Sequence, residues 1–133
     1  MFGWMDKIVK IDVSNGKQEV IQVSDEVRRK YLGGRGLGVK LYSDMCSADI
    51  DPLSADNSIL FLTGPLTGLF PTAGRYQVIS RSPQTGTICD SSSGGVFGNE
   101  LKIPLVKGRL PILRERSSSL ISVSYLVMGS LFT

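Results

Sequence analysis

The chain has 133 residues, 41% of them apolar and 20% charged, with a net charge of +3, no histidine and two cysteines. That length holds one domain with a modest core and excludes a catalytic domain beside a separate cofactor domain. Without histidine, and with Cys46 and Cys89 far apart in the chain, a self-contained zinc or iron–sulfur site is not expected. A disulfide between the two is allowed, but a chain of this composition needs none. The charge is unevenly placed. Residues 1–102 carry 11 basic and 11 acidic side chains, so the whole excess of +3 lies in residues 103–133.

The first residues, Met1-Phe2-Gly3-Trp4-Met5-Asp6-Lys7, lack an apolar core of signal-peptide length. The longest apolar stretch, 120–132, is broken by serines and a glycine and is too short to span a bilayer. The expectation is a soluble cytoplasmic protein with no membrane contact.

Residues 7–13 alternate apolar and polar, which predicts a half-buried strand. Asn15-Gly16 predicts a type I′ hairpin turn, with the return strand over 18–23. Ser24 is the expected N-cap of a short helix, with Asp25 and Glu26 favourable in its first turn. That helix is predicted to stop at Gly33-Gly34, and a second to cover Leu37–Met45. Ser58–Thr63 reads as a fully buried strand ended by Gly64-Pro65, and Arg75–Ser80 as an alternating one. After a turn at Ser82–Gly86, a short return strand is expected at Thr87–Cys89, and a helix from Val96 to Lys102. The result is an antiparallel, strand-rich α+β domain. Residues 103–133 show no clear periodicity over 117–124.

Residue chemistry alone leads to an anion or phosphate binder. Gly33–Gly38 fits neither a Walker loop nor a dinucleotide fingerprint, so it is read as a glycine-rich link between helices, with Arg35 solvated or paired. Asp90-Ser91-Ser92-Ser93-Gly94-Gly95 is either an anion-binding nest ahead of a helix N-terminus or a flexible surface loop. Arg75, beside a tight glycine turn, is suited to bidentate phosphate binding, although a solvated arginine is the commoner case. No nucleophile–base pair stands out, so no catalytic residue and no metal ligand is assigned. Asp44, Asp49, Asp51 and Asp56 lack calcium-loop spacing and read as a solvated face. Nucleic-acid binding by the basic tail is not expected, since Tyr125 and Phe132 are its only rings.

Eight ordered segments together resemble one family. They are Gly3-Trp4-Met5, Ile11–Lys17, Tyr31–Gly38, Asp51-Pro52-Leu53-Ser54, Thr63-Gly64-Pro65-Leu66-Thr67-Gly68, Gly74-Arg75-Tyr76, Ser82–Gly86 and Ser93–Lys102. Residues 1–102 resemble the N-terminal domain of the tungsten-containing aldehyde ferredoxin oxidoreductases. The resemblance implies a base of two antiparallel sheets with short helices, on which a bis-pterin cofactor sits. It implies oxidation of an aldehyde to a carboxylic acid, with electrons passing through one [4Fe–4S] cluster to ferredoxin, and it is compatible with a homo-oligomer. By position it assigns cofactor contacts to Arg75, Ser92 and Gly94, with Ser92 standing where asparagine is common. Gly33–Gly38 is left as structural.

The cluster cysteines and acid–base residues come later in full-length members, and Cys46 and Cys89 do not match them. After Lys102 the family expects an aromatic–Ala–Gly–Tyr–Asp segment and a hydrophobic strand, where this chain has Ile103-Pro104-Leu105-Val106-Lys107. Residues 103–133 are therefore read as a non-family tail, frameshifted or disordered. Two readings follow. One is the cofactor-cradling fragment of an oxidoreductase, inactive by itself. The other is a non-catalytic anion- or cofactor-binding or interaction domain without the redox centre.

Overall fold

The computed structural model describes residues 3–4, 6–12, 15–106 and 125–129. In chain order the elements are β1 (Lys7–Asp12), β2 (Gln18–Gln22), α1 (Asp25–Tyr31), α2 (Gly34–Met45), β3 (Ser58–Thr63), β4 (Tyr76–Arg81), β5 (Ile88–Ser93), α3 (Phe97–Val106) and β6 (Tyr125–Gly129). The α+β class and the two antiparallel groups expected from the sequence are both present. One is the β1–β2 hairpin, with Val9 opposite Val20. The other is the β3–β4–β5 meander, with Leu60 opposite Ile79 and Gln77 opposite Ser92. β6 lies between them, parallel to β1 and antiparallel to β3, and joins them in the order β2-β1-β6-β3-β4-β5. The loss of sequence periodicity near 117–124 gave no sign of this strand. The rest of the expected tail, 107–124 and 130–133, lies outside the described residues.

α2 covers one face of the sheet. Ile8, Leu37, Tyr42, Leu60, Leu62 and Ile79 form the core between them, each less than 4% exposed. β3 is not uniformly buried as predicted. It alternates, with Leu60 and Leu62 inward and Phe61 half-buried. Phe61 lies on the opposite face, where Phe97 of α3 meets it and Tyr76 edge-on, at centroid distances of 6.1 and 4.7 Å.

α2 starts three residues earlier than the sequence suggested. A glycine run is a poor helix former, but a Cβ on Gly38 would lie 2.6 Å from Leu62 Cδ1 and 2.7 Å from Ile79 Cγ1. Only glycine lets the helix approach the sheet this closely, and the resulting burial offsets the propensity cost of about 1 kcal/mol. α1 ends on Leu32, itself at φ 57°. The Trp4 indole N–H caps that turn by donating to the Leu32 carbonyl at 2.7 Å.

The hairpin turn also differs from the prediction. Asp12 N–H donates to the Lys17 carbonyl and Gly16 N–H to the Asp12 carbonyl, so the loop is longer than the two residues of a type I′ turn, with Gly16 at a positive φ. Asn15 instead works through its side chain, whose Oδ1 accepts the Lys17 N–H at 2.8 Å.

Candidate functional site

A cleft of about 350 Å³ opens at the end of β3 and β4. Its wall is the uncharged turn that follows β3, Gly64-Pro65-Leu66-Thr67, and its floor includes Gly34 at the start of α2. Arg75 and Gln77 enter from β4 and the residue before it. Arg75 is the one charged side chain among the described lining residues.

The turn holds its shape through buried polar groups. Thr67, 5% exposed, accepts the Gly64 N–H on Oγ1 at 3.1 Å and donates to the Arg75 carbonyl at 3.2 Å. Lys102 of α3, 4% exposed, donates to the carbonyls of Gly64 at 3.1 Å and Pro65 at 2.7 Å. Burial pushes the Lys102 ammonium below the usual lysine range. A Cβ on Gly74 would sit 2.5 Å from the Gly95 carbonyl oxygen, and one on Gly98 would sit 2.5 Å from that of Gly74. Glycine at both positions therefore lets α3 close against the start of β4.

The structure treats the three residues assigned from the resemblance differently. Arg75 lines the cleft, is exposed, and makes no side-chain hydrogen bond or ion pair among the described residues. Ser92 does not line the cleft, but its hydroxyl accepts from Gln77 Nε2 at 3.0 Å, one residue removed from it. Gly94 follows β5 outside the lining. It stands level with Arg75, between the Tyr76–Ser93 pair and the contact of Gly74 with Gly95, and open space lies where its side chain would be.

Two sequence readings need correction. Asp90–Ser93 is neither a nest nor a flexible loop but the last four residues of β5, paired with β4. In an extended strand successive N–H groups alternate in direction and cannot converge on one anion. The 33–38 segment is structural at Gly38, yet Gly34 lines the cleft. Arg35 is paired, with Nε 2.7 Å from Asp90 Oδ2, tying α2 to β5. Both cysteines are free, Cys46 buried and Cys89 exposed.

Sequence reasoning missed Gln77, Thr67 and Lys102. Thr67 is an ordinary polar residue until the fold buries it, and Gln77 until the fold half-buries it in the cleft lining. Lys102 left a faint signal, since it follows Leu101 on the apolar side of a short helix where a cation needs a reason.

The volume of the cleft is at the low end of the roughly 300–1,000 Å³ usual for small-molecule sites. Arg75 offers an unpaired guanidinium, and Gln77 Oε1 is buried without a partner and calls for a donor. Among the described residues no group of three or more His, Cys, Asp or Glu side chains is placed to hold a metal. No helix of the described residues is long and apolar enough to cross a membrane.

Comparison with known proteins bears on the family and the fold. Residues 8–108 match the family described as aldehyde ferredoxin oxidoreductase, N-terminal domain. The tungsten-containing aldehyde ferredoxin oxidoreductases of Pyrococcus horikoshii and Thermococcus kodakarensis are 45% and 41% identical over 103 residues. The aliphatic sulfonate oxidoreductase, WOR-like subunit, of Pyrococcus furiosus is 33% identical over 105 residues. Each match covers 77% of this chain, which spans only 17% of the relative's length. In structure the chain resembles the active site complex BamBC of benzoyl coenzyme A reductase, with a TM-score of 0.78 at 22% identity. That likeness covers 96% of this chain and 17% of the other, and it concerns the fold. The chain belongs to the family of aldehyde ferredoxin oxidoreductase N-terminal domains.

Proposed function

We propose that this chain is the cofactor-cradling part of a tungsten oxidoreductase acting on aldehydes, with ferredoxin as electron acceptor in the complete enzyme. The observation that carries this is Arg75, unpaired and alone in charge among the described residues lining a cleft walled by neutral backbone. The relatives are tungsten enzymes by name, which supports a metal cofactor. When bound, the metal–pterin group supplies the redox chemistry, and the [4Fe–4S] relay belongs to sequence beyond this segment.

The chain's own contribution is placement. Arg75 binds an anionic group of phosphate type, where a planar guanidinium can make two parallel hydrogen bonds. Gln77, oriented by its bond to Ser92, accepts from an N–H of the cofactor. Gly94 leaves room beside Arg75 for a bulky group. Ser92 thus acts through Gln77. A hydroxyl there gives one donor where asparagine would give two.

Two measurements test this. The purified chain is expected to contain no stoichiometric tungsten or iron and to show no aldehyde-dependent viologen reduction, and stoichiometric metal would overturn the fragment reading. Titration with inorganic pyrophosphate should show binding that Arg75→Ala weakens about tenfold or more, as expected for a lost charge-assisted contact.

A second reading is favoured by a specific feature. Leu66, Leu69, Phe70 and Val96 are 56–75% exposed around the cleft rim. A non-catalytic interaction domain would use that rim as its contact surface.

A further inference from the structure

Lys102 has no electrostatic reason to be buried where it is. Its partners are two backbone carbonyls, and among the described residues no carboxylate pairs with it. A buried ammonium without a counter-ion is costly, and an apolar side chain of similar length would fill the same space without that cost. Its position explains it. The two carbonyls belong to Gly64 and Pro65, which wall the cleft.

Thr67 works on the same turn from the other side. Its single hydroxyl accepts from Gly64 N–H and donates to the carbonyl of Arg75. Gly64 is thus held at both its N–H and its C=O, and the backbone that presents the arginine is bonded to the same group. The Lys102 bonds also engage two carbonyl oxygens of the turn, leaving less negative potential for an anion in the cleft to meet.

We propose that Lys102 and Thr67 are positioning residues for the cleft, bracing the Gly64–Thr67 turn and the Arg75 backbone so that the guanidinium is set to receive an anionic group. This rests on the reading of Arg75 as an anion contact, and the test separates the two. The 133-residue chain is labelled with ¹⁵N and titrated with inorganic pyrophosphate, and amide exchange is measured at Gly64 and Arg75.

Lys102→Met and Thr67→Val should each weaken pyrophosphate binding about tenfold and speed Gly64 amide exchange by a similar factor, relative to β1 amides in the same sample. Lys102→Arg and Thr67→Ser, which keep the charge and the hydroxyl, should recover most of both. If Lys102→Met does not fold, the Thr67→Val and Thr67→Ser pair decides. Lower thermal stability with unchanged affinity and unchanged Gly64 exchange would make both residues merely structural and overturn the proposal. Failure of the unaltered chain to bind pyrophosphate, or full binding by Arg75→Ala, refutes the anion reading instead. The brace is then judged on exchange alone, and unaccelerated Gly64 exchange sinks it as well.

Discussion

Tyr42 shows how much one core side chain is asked to do. It is 1% exposed, yet its hydroxyl donates to Asn57 Oδ1 at 2.6 Å, and Asn57 in turn donates to the Pro52 carbonyl at 2.7 Å. Asn57 Oδ1 also accepts the Ser58 N–H at 2.9 Å, so a single amide joins helix α2, the loop after it and the start of β3. Burial, reinforced by Cys46, pushes the phenol up to about 12. The folded state therefore holds this proton more tightly than the unfolded chain, whose tyrosines titrate near 10. The associated stability is complete below pH 10 and is lost as the pH rises from about 10 to about 12, amounting to about 2–3 kcal/mol. Tyr42→Phe should cost about 1 kcal/mol at pH 7, the net worth of one hydrogen bond. It should also remove this alkaline loss, so the difference between the two proteins shrinks as pH climbs through that window. Urea unfolding of both proteins at pH 7 and near pH 11 checks it, and a constant difference would mean that the phenol does not titrate with folding.

At the scale of elements, what was legible in the sequence was local. Alternation placed β1 and β4 within a residue, and Ser24, whose hydroxyl accepts the Val27 N–H, marked the start of α1. What was not legible depends on partners distant in the chain. A glycine run looks like a linker until Leu62 and Ile79 lie against Gly38. A run of serines looks like a loop until β4 pairs with it. Arg75 could be picked out early because its charge is intrinsic, whereas Thr67 and Lys102 gain their roles only from burial. β6 is the extreme case, since its place is set by backbone pairing with β1 and β3 and by no pattern of its own. Without it, β1 and β3 would each lose a neighbour in the middle of the sheet, leaving two unpaired edges over the core. A chain ended at Val106 should therefore lose cooperative unfolding, with Trp4 fluorescence and far-ultraviolet circular dichroism no longer changing together on heating. A single sharp transition at the temperature of the full chain would show that β6 contributes little.

On the whole molecule, charge and apolar surface make opposite forecasts about association. The +3 excess sits in residues 103–133, while residues 64–74 contain no charge at all and carry Leu66, Leu69 and Phe70 at 56–64% exposure. The loop reaches the neighbourhood of Val96, because Gly68 packs on Asn99 and Gly74 on Gly95, and Val96 is itself 75% exposed. Clustered apolar exposure of this kind is uncommon on a monomer's surface and marks a contact region. The chain spans only 17% of the length of its relatives, so a large further mass stands beside the equivalent domain in those proteins. If the apolar rim drives self-association, sulfate should strengthen it, because excluded salts favour apolar burial. If the basic residues drive it through attraction to acidic ones, added salt should weaken it by screening. The structure favours the rim. Leu69→Ser combined with Phe70→Ser should shift the chain toward monomer in sedimentation at every salt concentration. Because neither side chain is buried, unfolding free energy should stay within about 0.5 kcal/mol of the unaltered protein. Association that survives both substitutions and fades with salt would move the contact from the cleft rim to the charged residues.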